Sequence, residues 1–578
     1  VAGIETRLNR KTNWAALCVL AAALAAPAAL AVPSAQAGEE DGFSWPYFYP
    51  DDPLTRDADD MPIDEPRYRS TSQYYDFIEN MFLGVGRDGR RAAMNTNTLG
   101  EVPNSSWFEN RHGHRAMTVH EVVAGPLKGP GPDMENPWTI TKAKSEGVTP
   151  GFTVKDSKGT TYFVKVDPVC CPGMLTSTEA ICTPFFHAMG YNVPENYLVD
   201  VNVENIVVGP GTEIKVRGGV ERKMKEKDLH AVLRLAPVRE DNTLRVIASK
   251  AISGVGLFDH FRYHGTRSDD PNDIIPHQHR RELRGLKVLC AWLNHDDSRS
   301  INTLDVFTKE GFVKHYLIDF GSCLGSSSIK PQTRRSGNEH IWEAGPTFKT
   351  VASLGLWVRP YLKIDYPDYP CIGRFESKSF RPELWKPEYP NPAFDNMDRN
   401  DAFWAARIMM RFSDEYIRAV VENGDLGDPD ATEYMIETLI ERRDKLGRYH
   451  MNRVNPLADF VVEDGALNFT NLSVRYGFGS NPRGYEVVWR GYDNQSQQPL
   501  DELGTVVAEA GAGGEGIARL PEAARSQTSV RYPEEAGVHS YIFAEITPKG
   551  EAPAEWRTPI RVFLRDKRPG WEIVGIYR

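Results

Sequence analysis

The spacing of apolar positions changes character several times along the chain, and each change predicts a different kind of element. Short alternating runs at Thr139 to Lys144, Phe152 to Lys155 and Thr161 to Val166 predict three strands, with Ser157-Lys158-Gly159 as the turn between the last two. A helix is expected next, with Thr176 as N-cap, Glu179 three residues on, and Gly190 and Pro194 closing it. Strands follow around Tyr197 to Val201, Asn205 to Val208 and Leu244 to Ser249, then a long helix from about His277 to Asn294 and a second hairpin from Asn302 to Asp319. Between residues 400 and 450 the period becomes helical: Phe403, Trp404, Ile408, Phe412, Tyr416 and Val420 recur on one face, and Gly424 ends the run. Asp428-Pro429 then caps a second helix carrying Met435, Ile436, Leu439, Ile440 and Leu446. These stripes read as core rather than as cofactor contacts.

Both flanks have another texture. Gly38 to Asp133 is rich in Pro, Asp, Tyr and Trp with weak periodicity, and reads as an irregular extension over a neighbouring domain, because aromatics at this density do not stay solvated. Beyond Asn455, strands are expected at Leu467 to Tyr476, Tyr485 to Tyr492, Leu503 to Ala508, His539 to Ile546, Pro559 to Arg565 and Trp571 to Tyr577. Their spacing suggests an antiparallel sandwich of about a hundred residues. It resembles an immunoglobulin- or fibronectin-type-III-like module, which implies an accessory rather than a catalytic role.

A chain of 578 residues exceeds what one hydrophobic core serves, so several domains are expected. The net charge of -11 is spread along the sequence, which argues against a nucleic-acid surface. Arg7, Arg10 and Lys11, the apolar run from Ala15 to Ala31, and Ala35-Gln36-Ala37 form the three parts of a secretory signal peptide over 1–37. An uncleaved anchor is the alternative, against which Pro27, Pro33 and the small-x-small site count. Export to the periplasm, cell surface or medium is therefore expected, with no later transmembrane segment. Six cysteines would remain, without paired metal-ligand spacing; vicinal Cys170 and Cys171 are not expected to bond to each other, because the ring would be strained.

Two short strings carry the candidate chemistry: His295-Asp296-Asp297-Ser298-Arg299-Ser300-Ile301-Asn302, and Leu317-Ile318-Asp319-Phe320-Gly321. Phosphoryl transfer needs a carboxylate near the attacking hydroxyl and oxygen ligands for the metal ions that bridge the phosphates. An Asp and an Asn with four residues between them across a tight loop, followed by an Asp at the next turn, supply those groups. The strings resemble the catalytic loop H-x-D-x-x-x-x-N and the metal-binding D-F-G of the protein-kinase-like superfamily, in the same order and with the same intervening hairpin. Tyr162-Phe163-Val164-Lys165-Val166 resembles that superfamily's nucleotide-anchoring strand, with Glu179 as the partner of Lys165. Read without the resemblance, Lys165 is a solvated strand lysine and Glu179 a capping-box residue. Ser145 to Phe152, with Gly147 and Gly151, lies where a phosphate-cradling loop belongs, but an ordinary turn fits equally.

The chain departs from the pattern at Asp296, where the usual motif has arginine, and in lacking Ala-Pro-Glu after Gly321. It is therefore similar to atypical members such as HipA-like, CotH-like and secretory-pathway casein kinases over about residues 138 to 450. The resemblance implies an α+β fold: a bilobal kinase-like domain at 138–454, behind the extension at 38–137 and before the sandwich at 455–578. It further implies ATP with Mg2+ or Mn2+. Asp297 is then the base, His295 a brace within the catalytic loop, Asn302 and Asp319 the metal ligands, Lys165 and Glu179 the phosphate clamp, and a protein or sugar hydroxyl the acceptor. A non-catalytic scaffold at the cell surface and an AMP transferase are the alternatives. Asp269-Asp270-Pro271-Asn272-Asp273 reads as a turn and cap rather than a calcium site, and His277, His279, Arg280, Arg281 and Arg284 as a solvated or salt-bridged helix start rather than a phosphate contact.

Overall fold

The alternation read between 138 and 250 is realised as a six-stranded sheet. The structure is a computed structural model describing residues 43–68, 72–89, 91–143, 151–215, 221–254, 256–257, 259–522, 540–567 and 570–578. The proposed signal peptide and Gly147 lie outside the described residues. The chain divides after Pro46; of the first unit 43–46 is described, where Phe43 meets Trp45 edge to face with ring centroids 5.0 Å apart. The second unit, 47–578, is a mixed α+β fold, and 28% of the described residues are helix and 25% strand.

Across the large sheet the strands run Asn196–Asn202, Thr243–Lys250, Thr161–Val166, Gly151–Lys155, Trp138–Ala143 and Ile206–Val208. Every pair is antiparallel except the last. Ile140, Val154, Val164, Val166, Leu244 and Val246 gather in one apolar core, as a period of two requires. The helix Met174–Met189 comes after the third of these strands in sequence, but Thr176 is not its N-cap. Gly173, at φ 83°, takes that position. The first amides are satisfied from upstream instead: buried Asp167 accepts from the Leu175 and Thr176 N–H groups, and from Thr176 Oγ1 at 2.6 Å. A carboxylate there also suits the positive end of the helix dipole.

The expected helix from His277 to Asn294 is broken. A 3₁₀ turn, His277–His279, is followed by extended Arg280 and then the helix Arg281–Leu293. Side-chain bonds replace the missing ladder: His277 Nε2 pairs with Asp273, and Arg284 Nε donates to the Gln278 carbonyl at 2.7 Å. The basic start is salt-bridged and buried rather than solvated, with Arg281 and Arg284 both bound to Asp401. Three further helices, Arg399–Met409, Asp414–Asn423 and Pro429–Met451, carry the apolar stripes into a core containing Phe185, Trp292, Trp404 and Phe412. Asp428 caps the last of them through the Asp430 and Ala431 amides.

The extension contains regular elements after all: Gln73–Ile78, continued by a π-turn at Glu79–Leu83, and Val119–Ala124, where Thr118 and Glu121 form a capping box. Some of its aromatics are buried, with Trp107 stacked on His315 at 3.5 Å and Phe48 against Phe563 at 5.2 Å, while others such as Tyr68, Tyr74 and Tyr75 are exposed. Near the C-terminus, a three-stranded and a five-stranded antiparallel sheet enclose one core that includes Phe469, Trp489, Ile546 and Val562. Two of these strands, Leu457–Glu463 and Glu515–Arg519, carry little sequence signal. In the second, the inward positions are Gly516 and Ala518, and a Cβ on Gly516 would lie 2.3 Å from the Phe469 ring. The strand expected to reach Tyr476 stops at Asn471, whose side chain accepts the Val474 N–H and starts one helical turn. Cys170 and Cys171 are free thiols, their sulfurs 2.8 Å apart.

Candidate functional site

Lys165 lies on the strand Thr161–Val166, and Glu179 on the helix that comes next in the chain. Alternation turns Val164 and Val166 into the core and leaves Lys165 on the opposite face, looking toward that helix. The ammonium bonds Glu179 Oε1, and also Asp319 Oδ1 at 2.9 Å, which is 154 positions away in the chain. Glu179 is 1% exposed and Lys165 13%, so the pair is held away from bulk water, whereas Asp319 is 47% exposed. Two carboxylates push the lysine pKa upward against its desolvation, which is the largest opposing effect. Lys165 is therefore a fixed positive charge at any physiological pH. Glu179 is no capping-box residue here, since Thr176 is no cap.

Asp319 follows the strand Val313–Leu317 and sits in the left-handed region, φ 62°. Phe320 next to it stacks on Phe186 at 4.4 Å, docking the turn onto the helix that bears Glu179. Gly321 is closely approached: a Cβ there would stand 3.1 Å from Glu179 Oε1 and 3.0 Å from Ser328 Oγ, so those side chains would have to give way. Gly151 is also explained by closeness, since it opens the strand opposite Lys165 and a Cβ would lie 2.2 Å from the Val164 carbonyl oxygen. That contact belongs to the sheet.

The loop from His295 to Asn302 lies beside this turn, because the Ile318 N–H donates to the Asn302 carbonyl at 3.0 Å. Asn302 Nδ2 donates to the Asp297 carbonyl at 2.7 Å, closing the loop on itself. Asp297 is 22% exposed and ion-paired with Arg299, which reaches Glu388 at 3.1 Å. Desolvation raises the Asp297 pKa to about 6; Arg299 opposes the rise, and Glu388 and Asp319 add to it. His295 is buried beside Phe186 and Phe320, and burial lowers its pKa to about 4, so its ring is uncharged at neutral pH. Sequence reasoning missed the outer supports. Asp76 of the extension accepts from Ser300 Oγ at 2.8 Å and from Tyr389 Oη at 2.6 Å, and Glu388 holds Arg299. None had a local signal, since each lies far from the loop in sequence.

The structure thus brings Lys165, Glu179 and Asp319 into direct contact and sets Asn302 and Asp297 alongside. Among the described residues, no group of three or more His, Cys, Asp or Glu side chains is gathered as a metal site. The Asn302 amide, with its nitrogen committed to the Asp297 carbonyl, offers its oxygen; with the Asp319 carboxylate this makes a sparse, all-oxygen donor set. Such a set fits a hard cation that keeps several waters, as Mg2+ does when it is bound mainly through phosphates. A cavity of about 1680 Å3, lined by Arg87, Lys386, Arg399 and Arg453 among others, lies elsewhere, and none of the residues above borders it.

Asp296, next to His295 in this loop, is buried, its pKa raised to about 7 chiefly by desolvation. Gln332 Nε2 reaches its Oδ1 at 3.3 Å, and the Glu388 N–H donates to its carbonyl, so it ties the segment after Gly321 to the loop. Because the folded pKa exceeds the unfolded one, the native state binds the extra proton and stability falls as pH rises from about 4 to about 7. Asp296→Asn is expected to raise the unfolding free energy at about pH 8, by on the order of a few kcal/mol, and to leave it nearly unchanged at about pH 4. Urea titrations at the two pH values check this.

Comparison with known proteins returns no matching family model, no matching curated protein and no matching solved structure.

Proposed function

We propose that the protein is a kinase-like phosphotransferase that moves a phosphoryl group from ATP to a protein or sugar hydroxyl with the help of a divalent cation. In this reading the six-stranded sheet and the helical region are the two lobes, and the cleft between them holds the nucleotide. The observation that carries it is the double engagement of Lys165 by Glu179 and Asp319. A structural salt bridge needs one carboxylate. A lysine held by a buried glutamate and facing a second, half-exposed aspartate is a charge kept ready for an anion.

Each residue has a role in this reading. Lys165 holds the phosphates, and Glu179 fixes the direction of its ammonium. Asn302 and Asp319 would hold the cation, which screens charge on the phosphates when bound. Asp297 is ionised for the most part at neutral pH, with a pKa raised to about 6, and accepts the proton of the attacking hydroxyl. Arg299 keeps that carboxylate oriented. A bound nucleotide's phosphate would compete with Asp319 for the Lys165 ammonium, leaving the aspartate available to hold the cation.

Calorimetric titration of the protein with ATP tests the proposal. Binding is expected to tighten at least about tenfold when Mg2+ is added, and Asp319→Ala is expected to remove that dependence while the fold is retained. Absence of any ATP binding, with or without Mg2+, would overturn the reading. Mass analysis of products then separates phosphate transfer from AMP transfer.

A further inference from the structure

The segment 344–364 has a composition unlike the rest of the chain. It reads AGPTFKTVASLGLWVRPYLKI: no acidic residue, three cations (Lys349, Arg359 and Lys363), and a high share of apolar and aromatic side chains, in a protein of net charge -11. Its helix, Ala344–Ala352, buries no residue at all. Phe348 is 72% exposed, Val351 68%, Leu354 92% and Leu356 85%. Large apolar side chains singly at a surface mean little, but a contiguous set this exposed marks an interaction site. Leu354 is moreover held at φ 50°, ahead of Gly355 at φ 84°, so a tight turn thrusts it outward at a backbone cost leucine seldom bears.

The patch continues onto a second element. Phe82 lies 6.0 Å from Trp342, and beside it the extension exposes Tyr74, Tyr75, Ile78 and Leu83. Aliphatic tips, aromatic rings and flanking lysines are the combination that settles at a bilayer interface. Charge distinguishes the occupants. Arg359 is already paired with Glu339; a second copy meeting this face isologously would bring Lys349 and Lys363 of both copies to one interface, whereas anionic headgroups complement them.

We propose that the face formed by 341–364 and the exposed side of 74–83 docks onto the surface of an anionic phospholipid bilayer without crossing it. No helix among the described residues is long and apolar enough to span one. The inference does not depend on the phosphotransferase reading, since it rests on this face alone.

Co-sedimentation of the full chain with vesicles tests it. Vesicles of phosphatidylcholine with phosphatidylglycerol are expected to bind about tenfold more protein than phosphatidylcholine alone, and high salt to reverse the gain. Leu354→Glu/Leu356→Glu is expected to lower binding about tenfold, and Lys349→Glu/Lys363→Glu to abolish the preference for phosphatidylglycerol. All four positions are at the surface, so both variants should keep the wild-type circular dichroism and unfolding transition. The proposal falls if wild type and the leucine variant sediment equally, or if neither vesicle binds. It also falls if sedimentation equilibrium shows a dimer that the leucine variant disperses, which would assign the face to a second copy.

Discussion

Asp297→Asn is expected to lower turnover of ATP by about 10²- to 10⁴-fold while leaving ATP affinity within about twofold of wild type. The asparagine preserves the shape of the side chain, and the carbonyl that receives Asn302 Nδ2 belongs to the backbone, so the loop keeps its closure. What is lost is the proton acceptor. The pH dependence separates this from a positioning role. Desolvation raises the Asp297 pKa to about 6, and a base works only when deprotonated, so wild-type turnover should climb through about pH 6 and level off above it. The residual rate of the variant should lack that limb. Rate measurements from about pH 5 to about pH 8, with binding followed separately by calorimetry, decide the matter. An unchanged limb in Asp297→Asn would assign the titration to another group and remove Asp297 from the chemistry.

How much of this is legible in the sequence differs between the site and its supports. The strand of Lys165, the helix of Glu179 and the hairpin between Asn302 and Asp319 are where periodicity puts them, because each is short, alternating or strongly apolar. The cap expected at Thr176 is misplaced for a definite reason. Capping rules look at neighbours within the first turn, and Asp167 does the same task from eight residues upstream of Leu175. The break at Arg280 is invisible for a similar reason, since the partners that replace the helical bonds, Asp273 and Gln278, act through side chains and a bent backbone rather than through apolar spacing. The strand at Glu515–Arg519 escapes because glycine and alanine mark its inner face. Asp76, Glu388 and Tyr389 come from segments 224 and roughly 90 residues from the loop, and nothing local marks such a partner.

Lys165→Met is expected to destabilise the fold by about 3–5 kcal/mol, because it leaves Glu179 as a buried carboxylate without its cation. The double variant Lys165→Met/Glu179→Gln should recover most of that loss. It removes both charges and keeps the side chains close to their original volumes, so the desolvation cost that the pair shared disappears with it. Nucleotide binding should not recover, since neither methionine nor glutamine replaces the ammonium that meets the phosphates. This split between stability and affinity is what a functional pair predicts and a merely structural one does not. Urea unfolding of wild type, the two single variants and the double variant gives the coupling free energy, and ATP titration of the same four proteins gives the affinity. Simple additivity of the stabilities would mean that Lys165 and Glu179 do not act as one unit. Restored ATP binding in the double variant would mean that the lysine, however well held, is not the group that receives the phosphates.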